Sequence, residues 1–546
     1  MSDPKPVMRV AAGVSDTASA DLRTALEQAL ALIRAGRPED AETLCRDLAT
    51  RFPANADSHH LHGLAALSDK RATDALPRLA RAVALAPDVA SFRTNLGTAQ
   101  QGSGASDQAE RGFRRALRIA PDQAETSFNL ANLLLLSNRP EEAEPFLRRA
   151  VALQPERAKY WVRLGNLFLG LRRDRAAVRA YEIANVTAGG HCDGTAINHG
   201  MALHRMNRLA EALVCYDRAL ADNPDNAVAH WNRALTLLLS GRLTEGWDEY
   251  EWRWRLAECQ PRPFDRPLWT GEALDGRILL VHAEQGLGDT LHLVRYLPLV
   301  MEQAAARGGK LVLECQPPLS RLLADSFPGV AVVPAGDPLP AFDAHLPLLS
   351  LPRVFRTKLD DIPSSTPYLR APGGAVLPPG RPGTLAVGLV WGGDPAHRND
   401  RQRSLDLEAL QALLAIPGVT FYSVQKGDKA RALADADREG VVVDLGPAIG
   451  DFTDTAAFLQ RMDWVVTVDT SVAHLAGALG RSVCVMLPYS PDWRWLLDRS
   501  DSPWYPTATL FRQATPGDWT GVVRAVAAHL THTRTTPAVG PGRRNP

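Results

Sequence analysis

No stretch of about 18 apolar residues occurs in the chain, and the opening MSDPKPVMRVAAGVSDTASAD holds no apolar core of the kind an export signal needs. A membrane-spanning helix is not expected, and the chain reads as a soluble cytoplasmic protein. Excess charge of either sign is missing too: 61 Lys and Arg face 61 Asp and Glu. Without a global field, nucleic acid and anionic membranes are not the expected partners. The six cysteines (Cys45, Cys192, Cys215, Cys259, Cys315, Cys484) form no Cys-x-x-Cys pair and no His/Cys cluster at zinc spacing. Reduced thiols and no bound metal follow as expectations. The one Asp-x-Asp, Asp435 and Asp437, sits among charged neighbours and reads as a solvated helix face.

What is present first is a repeat. Prolines at 53, 87, 121 and 155 are 34 residues apart, and the register continues through Gly189 to Pro224 with one inserted residue. That is the tetratricopeptide period. Small residues recur with it (Ala41, Ala75, Ala109, Ala143, Ala177, Ala212; Ala82, Ala116, Ala150, Ala184, Ala219), where paired helices cross closely, and Phe113, Tyr181 and Tyr216 fill the space beside them. Six repeats are expected, with GRLTEGWDEYEWRWRL (241–256) as a degenerate seventh, stacked into an α superhelix whose concave face takes an extended segment of another protein. Asn95, Asn129, Asn198 and Asn232 share the sixth place of their repeats, interrupted by Arg163. Their amides are candidate grips on an acceptor peptide backbone, or supports between neighbouring helices.

Past a Pro-rich connection, short apolar runs alternate with helical ones, which argues for parallel sheets covered on both faces. Strands are expected at RILLVHA, KLVLECQ, VAVVPAG and AFDAHLPLL, and, beyond the loop APGGAVLPPGRPG (371–383), at TLAVGLVWGG, VTFYSVQKG, VVVDLG, DWVVTVD and RSVCVMLP. Two Rossmann-like halves face a cleft, and ligands lie at the carboxyl ends of the strands lining it. In VHAEQGLGDTLHLVRYLPLV (281–300) Gly286 and Gly288 lack the third glycine of a dinucleotide fingerprint, because Leu291 stands in its place, and Gly-Asp-Thr replaces the Gly-Lys-Ser/Thr of a phosphate loop. Asp289 is either a helix N-cap or a general base. In WVVTVDTSVAHLAGALG (464–480) a strand runs straight into a helix whose first turn carries Thr470, Ser471 and His474. Free N–H groups there suit a diphosphate, unless Asp469 or Thr470 merely caps the helix. WGGDPAHRNDRQRSLDL (391–407) gathers Arg398, Arg401 and Arg403, whose guanidinium groups match phosphate or form a solvated turn, and FYSVQKGD (421–428) adds Gln425 and Lys426.

With GLGDT (286–290), VWGG (390–393) and VDTSVAHLAGALG (468–480) in view, roughly residues 277 to 530 resemble the GT-B glycosyltransferases, most nearly the ADP-heptose:lipopolysaccharide heptosyltransferase family. The whole chain looks like a bacterial tetratricopeptide-repeat glycosyltransferase. The resemblance implies that Asp289 is the general base, that transfer from a nucleotide-diphosphate sugar inverts the anomeric centre, and that neither a metal nor another cofactor is needed. The implied donor set is Gly288, Trp391, Arg398, Arg401, Gln425, Lys426, Asp469, Thr470, Ser471 and His474.

The expected plan is therefore a disordered N-terminus (1–20), tetratricopeptide repeats (21–258), a linker (259–276), an acceptor-side Rossmann-like half (277–371), a second linker (372–383), a nucleotide-sugar half (384–531) and a disordered tail (532–546). The expected activity is glycosyl transfer to a protein held by the repeats. Two alternatives stand beside it: a repeat scaffold with a vestigial GT-B domain, and a nicotinamide binder with Glu314 on a ribose.

Overall fold

The computed structural model describes residues 16–190, 194–397, 399–436 and 442–535, and the chain divides into two compact units, Met1–Ala202 and Leu203–Pro546. The described residues of the first unit form only helices and the turns between them. Its helices come in pairs: Asp16–Arg34 with Pro38–Arg51, Ala56–Ser68 with Ala72–Leu85, Ala90–Gly102 with Ser106–Ile119, Ala124–Leu136 with Pro140–Leu153, and Ala158–Gly170 with Asp174–Thr187. The first of these begins inside the segment expected to lack structure, and the last helix of the chain, Trp519–Thr535, overlaps the expected tail in the same way.

The period acts through packing. Ala41, Ala75, Ala109, Ala143 and Ala177 are fully buried, as are Phe113 and Tyr181. A Cβ on Gly97 would lie 2.7 Å from the Phe113 ring, and one on Gly165 2.7 Å from the Tyr181 ring. Glycine thus lets the aromatic ring of the second helix rest directly on the backbone of the first. The turns repeat as well: Gly36, Lys70, Gly104, Asn138 and Arg172 hold positive φ at the same place in successive pairs. That is the left-handed residue that closes a helix and releases the chain into the next one.

In the second unit three further helices, Leu209–Asp222, Ala227–Leu239 and Leu243–Tyr250, precede the sheets. The first sheet holds β1 (Ile278–His282), β2 (Lys310–Cys315), β3 (Ala331–Pro334) and β4 (Ala344–Pro347), in the order β3-β2-β1-β4. The second holds β5 (Leu385–Val390), β6 (Val419–Ser423), β7 (Val442–Asp444), β8 (Trp464–Val468), β9 (Val483–Leu487) and β10 (Ala508–Arg512), in the order β10-β9-β8-β5-β6-β7. Every pairing is parallel. β10 is not among the strands expected from sequence, because it follows a Pro-rich stretch and only two of its five residues, Ala508 and Leu510, are buried apolar.

Side-chain alternation along β5 and its extension sends Val387, Leu389 and Trp391 into one core and Val390 into another. That second core also holds Leu238, Trp247, Leu279, Leu313, Val465 and Trp493, so the late helices and both sheets of this unit share one apolar interior. A buried polar joint adds to it. The fully buried Arg253 pairs with Glu284 at 2.9 Å and Glu251 at 2.7 Å and donates to Ser350 Oγ at 2.8 Å. Glu284 stands just past β1, so the joint fixes the end of that strand. Among the described residues no helix is long and apolar enough to cross a membrane.

Candidate functional site

β1 runs into the turn Glu284–Gly286 and then the helix Leu287–Leu293, whose N-cap is Gly286. Asp289 is the third residue of that helix rather than its cap, and its Oδ2 accepts from the Gly286 N–H at 2.8 Å. Its Oδ1 forms an ion pair with Arg494 Nη2. Arg494 also donates from Nη1 to Asp492 Oδ1 at 2.8 Å and lies 4.2 Å over the Trp493 ring. Burial works against the Arg494 charge, but Asp492 and Asp289 outweigh it and hold its pKa above the ordinary range. One buried guanidinium therefore fixes the carboxylate that follows the glycine turn.

Across from it β8 runs into the helix Ser471–Ala478. A Cβ on Gly288 would lie 3.1 Å from His474 Cδ2 and 3.4 Å from Ser471 Cα, so the missing side chain is what allows the two helix starts to touch. Thr470 is the N-cap in extended conformation (φ −139°), and its hydroxyl makes no cap bond; it meets Thr467 Oγ1 at 3.1 Å instead. The N–H groups of this first turn are thus not taken up by the cap side chain. Asp469, buried beside them, has its carboxyl pushed up to about 6 by burial and by the charge of Asp492, with Arg403 and Arg494 pulling the other way. His474 stacks on Trp495 with ring centres 5.4 Å apart, and its Nδ1 lies 2.9 Å from the Tyr505 hydroxyl.

The remaining donor-set residues divide. Arg403, which sequence reading noted without placing it in the donor set, packs its guanidinium where a Gly393 Cβ would be, 2.7 Å from Nη2, and its Nε makes no hydrogen bond but pairs with Asp400 Oδ1 at 3.7 Å. Its charge acts on Asp469, His474 and His397. Arg401 is exposed, and Arg398 lies outside the described residues, as does Asp437. Trp391 is 1 % exposed and belongs to the core, so it is not a ligand platform. Gln425 is also spent: Oε1 accepts from the N–H groups of Trp391 (3.1 Å) and Gly392 (2.9 Å), while Nε2 donates to the carbonyls of Gly392 (3.0 Å) and Lys426 (2.9 Å). It clamps the β5 loop to the β6 loop. Lys426 is turned onto the carbonyls of Gly446 (2.9 Å) and Ile449 (3.0 Å). Glu314, the ribose candidate of the nicotinamide alternative, is paired with Arg262.

The asparagines of the repeats are cross-linked. Asn95 meets His60 Nε2 at 2.7 Å, Asn129 donates to Thr98 Oγ1 at 3.4 Å and Asn198 to Asn166 Oδ1 at 3.0 Å, each reaching a helix of the preceding repeat. Asn232 donates to Val228 O of its own helix at 2.8 Å. Support between helices is therefore one use of these amides.

Comparison with known families matches three models in the helical part: "TPR repeat" at 200–241 and "Tetratricopeptide repeat" at 107–164 and 26–90. The first half carries tetratricopeptide repeats. Protein FlbA of Caulobacter vibrioides is 29 % identical over 343 residues, covering 56 % of this chain and 55 % of that protein. The chain thus spans about half the length of the curated relative it matches. Among solved structures, YrrB, a TPR protein described as having an unusual peptide-binding site, is 20 % identical (TM-score 0.30; 34 % of this chain, 95 % of that one). PilF of Pseudomonas aeruginosa is 15 % identical (TM-score 0.38; 40 % and 99 %), and a thermophilic TPR protein of Thermus thermophilus is 22 % identical (TM-score 0.29; 33 % and 98 %).

Proposed function

We propose that the second unit is a GT-B glycosyltransferase that moves a sugar from a nucleotide diphosphate to a protein presented by the repeats. The observation that carries this reading is the meeting of Gly288 with Ser471: it brings a fixed carboxylate, Asp289, beside a helix start whose cap side chain takes none of its N–H groups, at the ends of two parallel sheets. In this reading the acceptor hydroxyl attacks the anomeric carbon, its proton passes to Asp289, and the bond from that carbon to the diphosphate oxygen breaks. The leaving diphosphate gains negative charge, which the Thr470/Ser471 helix start and Arg403 stabilise. Attack from the face opposite the leaving group inverts the centre.

The tetratricopeptide repeats support a protein or peptide acceptor, since stacked repeats present extended surfaces of the kind that bind one. The test is a thermal-shift panel of ADP-, UDP-, GDP- and CMP-sugars on the full chain and on Arg403→Ala. A ligand that binds only the native state raises the midpoint by mass action. One nucleotide class should stabilise the wild type and lose most of that effect in the variant. No shift with any of the four would remove the transferase reading and leave a protein-binding scaffold.

A further inference from the structure

An open groove of about 570 Å³ lies on two second helices of the repeats, lined by Arg111, Arg114, Arg115, Leu117 and Arg118 of Ser106–Ile119 and by Phe146 of Pro140–Leu153. Asn95 and Asn129, the candidate peptide grips, stand on first helices instead. The four arginines fall at i, i+3, i+4 and i+7, which gathers them on one face of their helix, while Ala109, Phe113 and Ala116 turn the opposite face into the core. The arginines are left exposed, and Leu117 and Phe146 half-buried.

The carboxylates nearest the groove are already engaged. Glu110 pairs with Arg114 at 2.8 Å and with Arg139 at 2.8 Å, and Glu142 pairs with Arg139 at 2.7 Å and with Arg114 at 3.6 Å. Hydrogen bonds from Arg139 hold both carboxyls below their ordinary pKa, so they stay charged and bonded. Arg114, anchored by them, lies 5.7 Å from the centre of the Phe146 ring. Arg111, Arg115 and Arg118 have no carboxylate within ion-pair distance, although Asp107 stands one turn before Arg111. Arg93 of the helix Ala90–Gly102 adds to the positive field: burial and then the charge of Arg115 lower its pKa. Three uncompensated cations thus stand beside an apolar floor.

We propose that this groove docks an acidic segment of a partner protein, with carboxylates on Arg111, Arg115 and Arg118 and one apolar side chain against Leu117 and Phe146. Guanidinium groups match carboxylates with two parallel hydrogen bonds, and the apolar surface beside them excludes water. A nucleic acid or a membrane fits less well. Both spread phosphate over a wide area, and Glu141, Glu142 and Glu144 on Pro140–Leu153 would repel that charge beside Phe146. A peptide places its charge only opposite the arginines. The proposal stands on the repeats alone and is independent of the transferase reading.

Fluorescence anisotropy on the full chain tests it, with a labelled short peptide of Asp and Glu around a central Phe as the probe. The wild type should bind this peptide, more weakly as salt is raised. Arg111→Ala/Arg115→Ala/Arg118→Ala should lose at least tenfold in affinity and keep its thermal midpoint. Arg34→Ala/Arg37→Ala/Arg51→Ala, which removes the same charge from exposed arginines of the first helix pair, should stay within about threefold of wild type. A probe with Gly in place of its Phe should bind the wild type at least threefold more weakly. No binding of the Phe probe, equal losses in the two triple variants, or equal affinity for the Gly probe would each overturn the proposal. A single-stranded oligonucleotide or phosphatidylserine vesicles bound more tightly than the peptide, with that binding lost in the groove variant, would overturn the choice of a protein partner.

Discussion

Replacing Asp469 by Asn should stabilise the protein at neutral and alkaline pH, although the change removes a charge that sequence reading places at a ligand site. Burial and the nearby Asp492 move its carboxyl from the ordinary 3.8 to about 6. The native state therefore holds this proton more tightly than the unfolded chain does. A raised carboxyl pKa contributes stability that is fully present below the unfolded value and lost as pH rises through the folded one. The difference of about two pH units corresponds to roughly 3 kcal/mol at pH 7 and above, at about 1.4 kcal/mol per unit. About half of that loss falls between pH 5 and pH 8. Thermal unfolding of wild type and Asp469→Asn across this range measures it, and the gap between their midpoints should widen with pH by on the order of 2–4 °C. A gap that stays constant between pH 5 and pH 8 would show that Asp469 is not a raised, buried carboxyl.

Three other substitutions test the same geometry. Gly288→Ala places a methyl 3.1 Å from His474 and should cost about 1–3 kcal/mol, the usual range for overpacking, while weakening nucleotide-sugar binding; wild-type binding would refute the close approach. Arg253→Met leaves Glu284 buried without its partner and should cost about 3–5 kcal/mol by urea unfolding, with most of the loss recovered in Arg253→Met/Glu284→Gln. Gln425→Leu removes all four bonds of the loop clamp; about 1–3 kcal/mol and a rise in proteolysis near 391–397 are expected, whereas unchanged stability with lost nucleotide binding would make Gln425 a ligand contact after all.

The repeats were legible because their signal is local and redundant: a proline and small residues recur every 34 residues, and any one of them can fail, as Gly189 does in place of proline, without hiding the period. Strands of the parallel sheets were legible as apolar runs for the same reason. The candidate site was legible only where a strand end and a helix start adjoin in sequence, at Gly286–Asp289 and Asp469–His474. Its supports were not. Arg494 grips Asp289 from 205 residues away, and Tyr505 reaches His292 from 213. No spacing rule connects such pairs; only the packing of the two sheets does. Trp391 and Gln425 show the opposite error: both stand at strand ends, but side-chain alternation turns the first into the core, and the second is consumed by backbone groups that would otherwise be buried without partners.

The most direct test of glycosyl transfer is the rate at which a nucleoside diphosphate is released from the nucleotide sugar that stabilises the chain, wild type against Asp289→Asn, each with its affinity for that sugar measured alongside. The account predicts that the variant binds the donor within a few-fold of wild type and releases the diphosphate on the order of 10²–10⁴-fold more slowly, the usual worth of a positioned general base. Equal release rates at equal affinity would contradict the role proposed for Asp289 and, with it, the reaction proposed for the second unit.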